Sequence, residues 1–597
     1  MLDRFQRRNE PVYRADLDRC QPASALSRTA RRFAWRMLDF ETDKAAGTLL
    51  FAGEETEAAE ITYPLEVQGW HDIYIGLFNN AWRPYEAQRV FARLSGDPAF
   101  SLVYLPIPSE RAWGVPADDQ KQGPRIQDVF WKTADLTGQT VAFRQPCQRA
   151  VPDEQAFGNI SGKVWLAYIK LVPLTGEEVE DLELDRSDPA NRRLFAYNDS
   201  WFDGDRGSRM PGGRSEETAI QAQLEPYRHT DFGRIYWDGA HGDICNYLTR
   251  IGRVWDGRGI RTQDPPRRYD RLAREAWDAY VERGIDPFRV AADFAHELDM
   301  EFHACYRIGW RPFYWPPPFD EFNRGGLYDQ CPELRCVGRD GRPSLGLSFA
   351  FPETRRYVLS LIREMTGYPI DGVAILYNRQ PPFLEYEWPL VEGFQEEFGV
   401  DPRRLPETDP RWLAYKSRIL TGFMEDLKAE LAEAAREQGR SAPYPVTAWL
   451  FGSREENLLY GIDIERWVQE GLVDTLIPYT SARSLFSFET AWEDAADVTY
   501  WVRMARAGNC RLALNVMPRN MDATQYRNKA GQLYSLGVEH LAFWDTAIAG
   551  GQASETLARL GHHEEIAGWI MAGRPEPQST SSPLWKLGDW DLSYFPE

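Results

Sequence analysis

A chain of 597 residues with 43% hydrophobic and 27% charged side chains is long enough for two to four domains and can bury sizeable cores, which excludes a disordered protein. Its formal net charge of -21 repels nucleic acid and anionic membrane surfaces, so neither is an expected partner. Seven cysteines at loose spacing, with no CxxC pair, point to reduced and mostly buried thiols rather than a disulfide framework or a zinc site.

The opening MLDRFQRRNE lacks the apolar stretch of a secretory signal. No apolar run is long enough to span a bilayer. A cytoplasmic location is therefore expected, although a trimmed signal would leave the same start. Residues 1–35 are basic and aperiodic and read as an N-terminal arm. Residues 36–174 carry short segments rich in β-branched and aromatic residues, among them WHDIYIGLF, FSLVYLPI and KVWLAYIKLV, separated by turn residues. That texture predicts a β-sandwich; it is similar in general texture to carbohydrate-binding jelly rolls, which implies either glycan binding or a bracing role against the rest of the chain or a homo-oligomer interface. Residues 175–193, acidic with Gly and Pro, read as a linker.

From 194 to 574 the pattern changes to alternating strands and helices. Apolar runs occur at 194–197, 234–237, 302–306, 373–377, 446–450, 475–478, 512–516 and 540–544. Amphipathic stretches separate them. The clearest begins at Pro410, with Thr408 or Asp409 as its cap and Trp412, Leu420, Phe423, Leu427 and Leu431 at helical spacing. Eight such units predict an α/β fold, a (β/α)8 TIM barrel, preceded by the all-β sandwich domain. An open doubly wound sheet would carry a Gly-rich phosphate turn after its first strand. YNDSWF and YWDGAHGD contain none. The tail, 575–597, is a Ser/Thr-rich piece with an aromatic end, expected to dock on the body.

In such barrels the site lies at the C-terminal ends of the strands. Cleavage of a glycosidic bond uses two carboxyl groups, one protonating the leaving oxygen and the other acting as nucleophile or base. The candidate catalytic carboxylates are Asp545, Asp238, Glu385 and Glu387, with Asp199 nearby. An Asp after a strand also serves commonly as a turn or cap residue. The candidate sugar-binding residues are Asp199, Trp237, His241, Arg307, Trp310, Tyr377, Asn378, Arg379, Trp449, Tyr479, Asn515, Arg519 and Trp544. Aromatic faces stack on sugar rings, and the 22 Trp supply either such walls or large cores. The arginines fit an acidic sugar, or else neutralise neighbouring Asp and Glu. No P-loop, HExxH, GxSxG or Cys–His pattern is present, and neither a cofactor nor a metal is expected.

The segment DGVAILYNRQPPFLEYE resembles the DGI-x-L-D-[FWY]-x-R-x-P segment of bacterial family-10-like glycosyl hydrolases. RVAADFAHELDMEFHACYRIGW resembles their helix–strand unit, and FAFPETRRYVLSLIREM and VDPRRLPETDPRWLAYKSRILTGFMEDL also fit. The likeness spans roughly residues 190–575 and implies a (β/α)8 barrel and glycoside hydrolysis of a carbohydrate substrate. Where relatives place an Asp in strand four, this sequence has Leu376-Tyr377-Asn378. No catalytic Asp is carried over there, and Glu385 or Glu387 would serve instead. The alternatives are a non-catalytic carbohydrate-binding barrel, and a lyase or isomerase acting on an acidic sugar with Tyr377 or Tyr479 as base.

Overall fold

The computed structural model describes residues 9–53, 56–79, 88–105, 124–145, 163–199, 217–254, 277–309, 326–379, 381–480, 492, 494–516, 523–544, 557–572 and 581–593. Eight parallel strands close into a barrel. They are β1 (Leu194–Asn198), β2 (Phe232–His241), β3 (Glu301–Arg307), β4 (Gly372–Leu376), β5 (Val446–Phe451), β6 (Thr475–Tyr479), β7 (Arg511–Asn515) and β8 (His540–Trp544). Each pairs with its sequence neighbours, and β1 pairs with both β2 and β8, so no edge is left open. All eight runs expected from the sequence are strands of this barrel.

Each barrel strand is buried on both faces. One face, including Leu194, Ile235, Phe302, Ile375 and Leu450, packs against the surrounding helices. The other fills the interior with Phe195, Tyr236, Cys305, Leu376, Ile477 and Ala542. At the N-terminal end Arg234 is plugged by Glu301 at 2.5 Å and donates to the Tyr236 hydroxyl at 2.9 Å. The helix Pro410–Glu437 shows why the outer layer forms: Asp409 caps it by accepting from Arg411 N–H at 3.0 Å, Pro410 fits the first turn, and the predicted apolar stripe is buried.

The N-terminal domain is built from two mainly antiparallel sheets. Ile61–Pro64, Thr140–Arg144, Gln88–Leu94 and Ser101–Leu105 form the smaller one. The larger one curls into a ring in which Trp35–Thr42, Ala46–Ala52, Val164–Pro173, Trp70–Asn79 and Arg125–Asp135 pair in that order. The ring is closed by Ser581–Leu587, which pairs with both Arg125–Asp135 and Trp35–Thr42. The tail therefore docks as a strand of the first domain.

Two segments differ from their reading in the sequence. The expected arm is tied down from residue 12 onward, because Val12–Arg14 pairs with Ile169–Leu171 and Leu26–Ser27 pairs with Trp35–Arg36. The expected linker contains a helix, Gly176–Ser187, whose start is fixed by a capping box between Thr175 and Glu178. Among the described residues no helix is long and apolar enough to cross a membrane, and the six cysteines are unpaired.

Candidate active site

Strand alternation decides which predicted residues reach the barrel interior. Along β1 and β8, Tyr197 and Trp544 face inward at matched register. Trp449 of β5 and Tyr479 of β6 join them. Their rings form a continuous aromatic floor: Tyr197–Trp544 centroids are 3.9 Å apart, Tyr197–Trp449 5.4 Å, Trp449–Trp544 5.6 Å and Tyr479–Trp544 5.5 Å.

On β2 the order is broken by a bulge. Asp238 is paired with Cys305, Ala240 with Tyr306 and His241 with Arg307, so Gly239 is the extra residue. Asp238 faces the interior by ordinary alternation with Tyr236, and the bulge brings His241 to that side as well, with Ala240 left facing the helices. A Cβ at Gly239 would lie 2.4 Å from Met365 Sδ, so a larger residue there would have to displace that side chain.

Charge concentrates on the β1–β3 side. Arg307 Nη2 meets Asp199 Oδ1, and Arg307 Nε lies 2.9 Å from Asp238 Oδ2. The same guanidinium donates to the Tyr197 hydroxyl, from Nε at 3.0 Å and from Nη2 at 2.9 Å. Trp544 Nε1–H donates to Asp199 Oδ2 at 3.4 Å. Burial pushes the Tyr197 hydroxyl well above its ordinary pKa, so it stays a neutral acceptor and donor. Tyr197 was not singled out in the sequence; its only signal is its place two residues before Asp199 at a strand end.

The β4–β7 side carries the cation Arg379 and is rich in unmet hydrogen-bonding atoms. Asn378 lies two residues beyond the inward Leu376 and is fully buried, and neither its amide oxygen nor its amide nitrogen has a partner. Trp449 Nε1 and Asn515 Nδ2 are also buried without partners. Asn515 Oδ1 accepts from Thr480 N–H at 3.4 Å. Arg379 reaches across from the end of β4, with its Cζ 4.5 Å from the Trp544 ring centroid on the opposite strand.

Three predicted residues lie elsewhere. Trp237 and Tyr377 occupy outward positions and are buried in the helix-facing core. Trp237 packs against Phe302, and the Tyr377 hydroxyl donates to Met424 Sδ at 3.0 Å beside Phe383 and Trp467. They are corrected from sugar contacts to packing residues. Glu387 is the N-cap residue of the helix Trp388–Phe398, fully buried, and accepts from Val337 N–H at 3.0 Å and Glu385 N–H at 3.1 Å. Burial pushes its carboxyl up to about 7 against those N–H groups. The value suits a proton donor, but the oxygens are turned to loop backbone, so Glu387 is corrected from catalytic acid to loop clamp. Glu385 shares that loop. Asp545, Trp310 and Arg519 lie outside the described residues. Among the described residues no group of three His, Cys, Asp or Glu is arranged to hold a metal ion.

No protein-family model matches the chain, and no curated protein matches it. Solved structures resemble it. A β-galactosidase from the psychrophilic Marinomonas ef1 is 12% identical over 64% of this chain and 60% of that one, with a TM-score of 0.38. An α-L-fucosidase isoenzyme from Paenibacillus thiaminolyticus is 12% identical over 64% of this chain and 50% of that one, with a TM-score of 0.40. An α-galactosidase from Thermus thermophilus is 12% identical over 92% of this chain and 98% of that one, with a TM-score of 0.29. The chain thus spans 60% and 50% of the first two. Likeness at this level carries no argument about the reaction and does not single out family 10.

Proposed function

We propose that this protein is a glycoside hydrolase acting at the C-terminal mouth of the barrel. The observation that carries the reading is the division of that mouth. Asp199, Asp238 and Arg307 stand on one side, and the unmet atoms of Asn378, Trp449 and Asn515 on the other, around an aromatic floor. A buried amide or indole N–H without a partner costs about 1–3 kcal/mol, and a ring of hydroxyls supplies the missing partners.

Asp238, the carboxylate held at a fixed angle by Arg307, acts as nucleophile at the anomeric carbon or as the base that deprotonates the attacking water. Asp199, tied to both Arg307 and Trp544, stabilises positive charge developing on the ring. Asp545, next in the chain after Trp544, is our candidate proton donor, and His241, set at the register of Arg307, binds a sugar hydroxyl. No cofactor is required.

A second reading is a sugar-binding barrel without catalysis. It is favoured by the pairing of both Asp199 and Asp238 with one guanidinium and by Leu376 standing where the resembled strand-four segment carries an Asp. A panel of aryl glycosides and neutral and acidic oligosaccharides separates the two. The hydrolase reading expects released aglycone or new reducing ends from one sugar class. Binding by thermal shift with no product from any member would favour the second.

A further inference from the structure

Two arginines of the described mouth share one indole, and only one of them is neutralised. Arg307 and Arg379 place their Cζ atoms 5.4 Å and 4.5 Å from the Trp544 ring centroid. Arg307 is held by Asp199, Asp238 and the Tyr197 hydroxyl. Arg379 has no carboxylate within ion-pair distance among the described residues, and its buried Nε has no acceptor. Its neighbour Asn378 is fully buried with both amide atoms unmet. A guanidinium lying on an aromatic face keeps its hydrogen-bonding edge free, because the donors lie in the plane of the fork. That edge and the amide of the adjacent Asn378 are therefore hydrogen-bonding groups without partners at the end of β4.

We propose that Arg379 and Asn378 form a carboxylate-recognition subsite, so that the sugar taken at this mouth is a uronic acid. The proposal rests on the reading of the mouth as a sugar site and names its substrate class. The planar fork of Arg379 matches a carboxylate in two parallel hydrogen bonds. Asn378 Nδ2 adds a donor to the same group, and its Oδ1 accepts from a ring hydroxyl. A neutral sugar satisfies the amide but leaves the cation without a counter-charge. Orientation follows as well. The carboxylates of Asp199 and Asp238 on the β1–β2 side repel the ligand's acid group toward β4, which leaves the glycosidic end of the sugar facing Asp238.

The test is calorimetric titration of the full-length protein with oligouronides of two to four sugars, with their carboxyl-reduced neutral counterparts, and with sulfated oligosaccharides. Wild type is expected to bind the uronide at least about tenfold more tightly than its neutral counterpart. Arg379→Gln should erase that preference by lowering uronide affinity at least about tenfold more than neutral-sugar affinity. Arg379→Lys, which keeps the charge but not the fork, should retain part of the preference, and Asn378→Leu should weaken both ligands. Equal wild-type affinity for charged and neutral sugars would overturn the proposal, as would an Arg379→Gln variant that loses both ligands alike. Preference for the sulfated sugars over the uronides would overturn the carboxylate assignment. Cleavage of a neutral sugar with no uronide bound would refute this inference and leave the hydrolase reading standing, whereas a protein that neither binds nor cleaves any sugar would remove both.

Discussion

Arg307 Nε lies 2.9 Å from Asp238 Oδ2, so a guanidinium from β3 fixes the carboxylate that ends β2. Breaking the pair from its two sides has different consequences. Arg307→Met leaves Asp238 and Asp199 buried as like charges and should cost about 3–5 kcal/mol of stability in urea unfolding, with loss of activity. Asp238→Asn keeps the shape and removes only the charge. It should lower turnover by about a thousandfold or more while shifting stability much less. Similar losses of stability in both variants would mean that Asp238 is structural.

The bulge at Gly239 is a second point of control. Gly239→Ala places a methyl group against Met365 Sδ and should cost about 1–3 kcal/mol. It should also reduce activity by displacing Asp238 and His241. Adding Met365→Ala opens the space and should restore part of the activity. Restoration of neither activity nor stability would place the strain in the bulge backbone rather than in the Met365 contact.

At the opposite end of the barrel His562 stands between Asp185 Oδ1 at 2.6 Å and Asp231 Oδ2 at 2.7 Å. Asp185 belongs to the helix Gly176–Ser187, and Asp231 directly precedes β2, so the histidine ties that helix to the barrel base. Burial opposes its protonation, but the two carboxylates outweigh burial and hold its pKa up to about 9, above the ordinary 6.5. A raised folded pKa stabilises fully below the unfolded value and is lost as pH rises through the folded one. Stability should therefore decline by up to roughly 3 kcal/mol between pH 6.5 and 9, and His562→Gln should flatten that slope. An unchanged slope in the variant would show that His562 is not its source.

The closing strand Ser581–Leu587 carries the buried Leu584 into the ring of the first domain, where Leu584 N–H donates to Pro124 O at 2.9 Å. Leu584→Ala should cost about 2–5 kcal/mol. Deleting residues 581–597 uncovers the edges of Trp35–Thr42 and Arg125–Asp135 and should lower the melting temperature and raise light scattering. A truncated protein that melts and scatters like wild type would show that the ring does not depend on its last strand.

The barrel was legible because each β run is apolar and bounded by amphipathic helices, as in Val446–Phe451 before Arg454–Leu459. The same property hid the direction of individual side chains. A strand buried on both faces has no alternation in hydropathy, so Trp237 and Tyr377 look equivalent to Trp449 and Trp544 in the sequence. Their parity is set by register, which also explains why the turning of His241 by Gly239 had no local signal. The helix Gly176–Ser187 had one, in Thr175 and Glu178, but its low hydropathy masked it. The pairing of Ser581–Leu587 with Trp35–Thr42 joins segments at opposite ends of the chain, and no local pattern encodes such a contact.

Cleavage of a glycosidic bond is proposed for the mouth bounded by Asp238, Arg307, Trp449 and Trp544. It is tested most directly by measuring new reducing ends from a panel of oligosaccharides with wild type and Asp238→Asn side by side. Wild type is expected to release product from one sugar class, and the variant about a thousandfold less while binding persists. Equal product from both proteins would remove Asp238 from the chemistry, and product from neither, with sugar still bound, would make the barrel a binding protein.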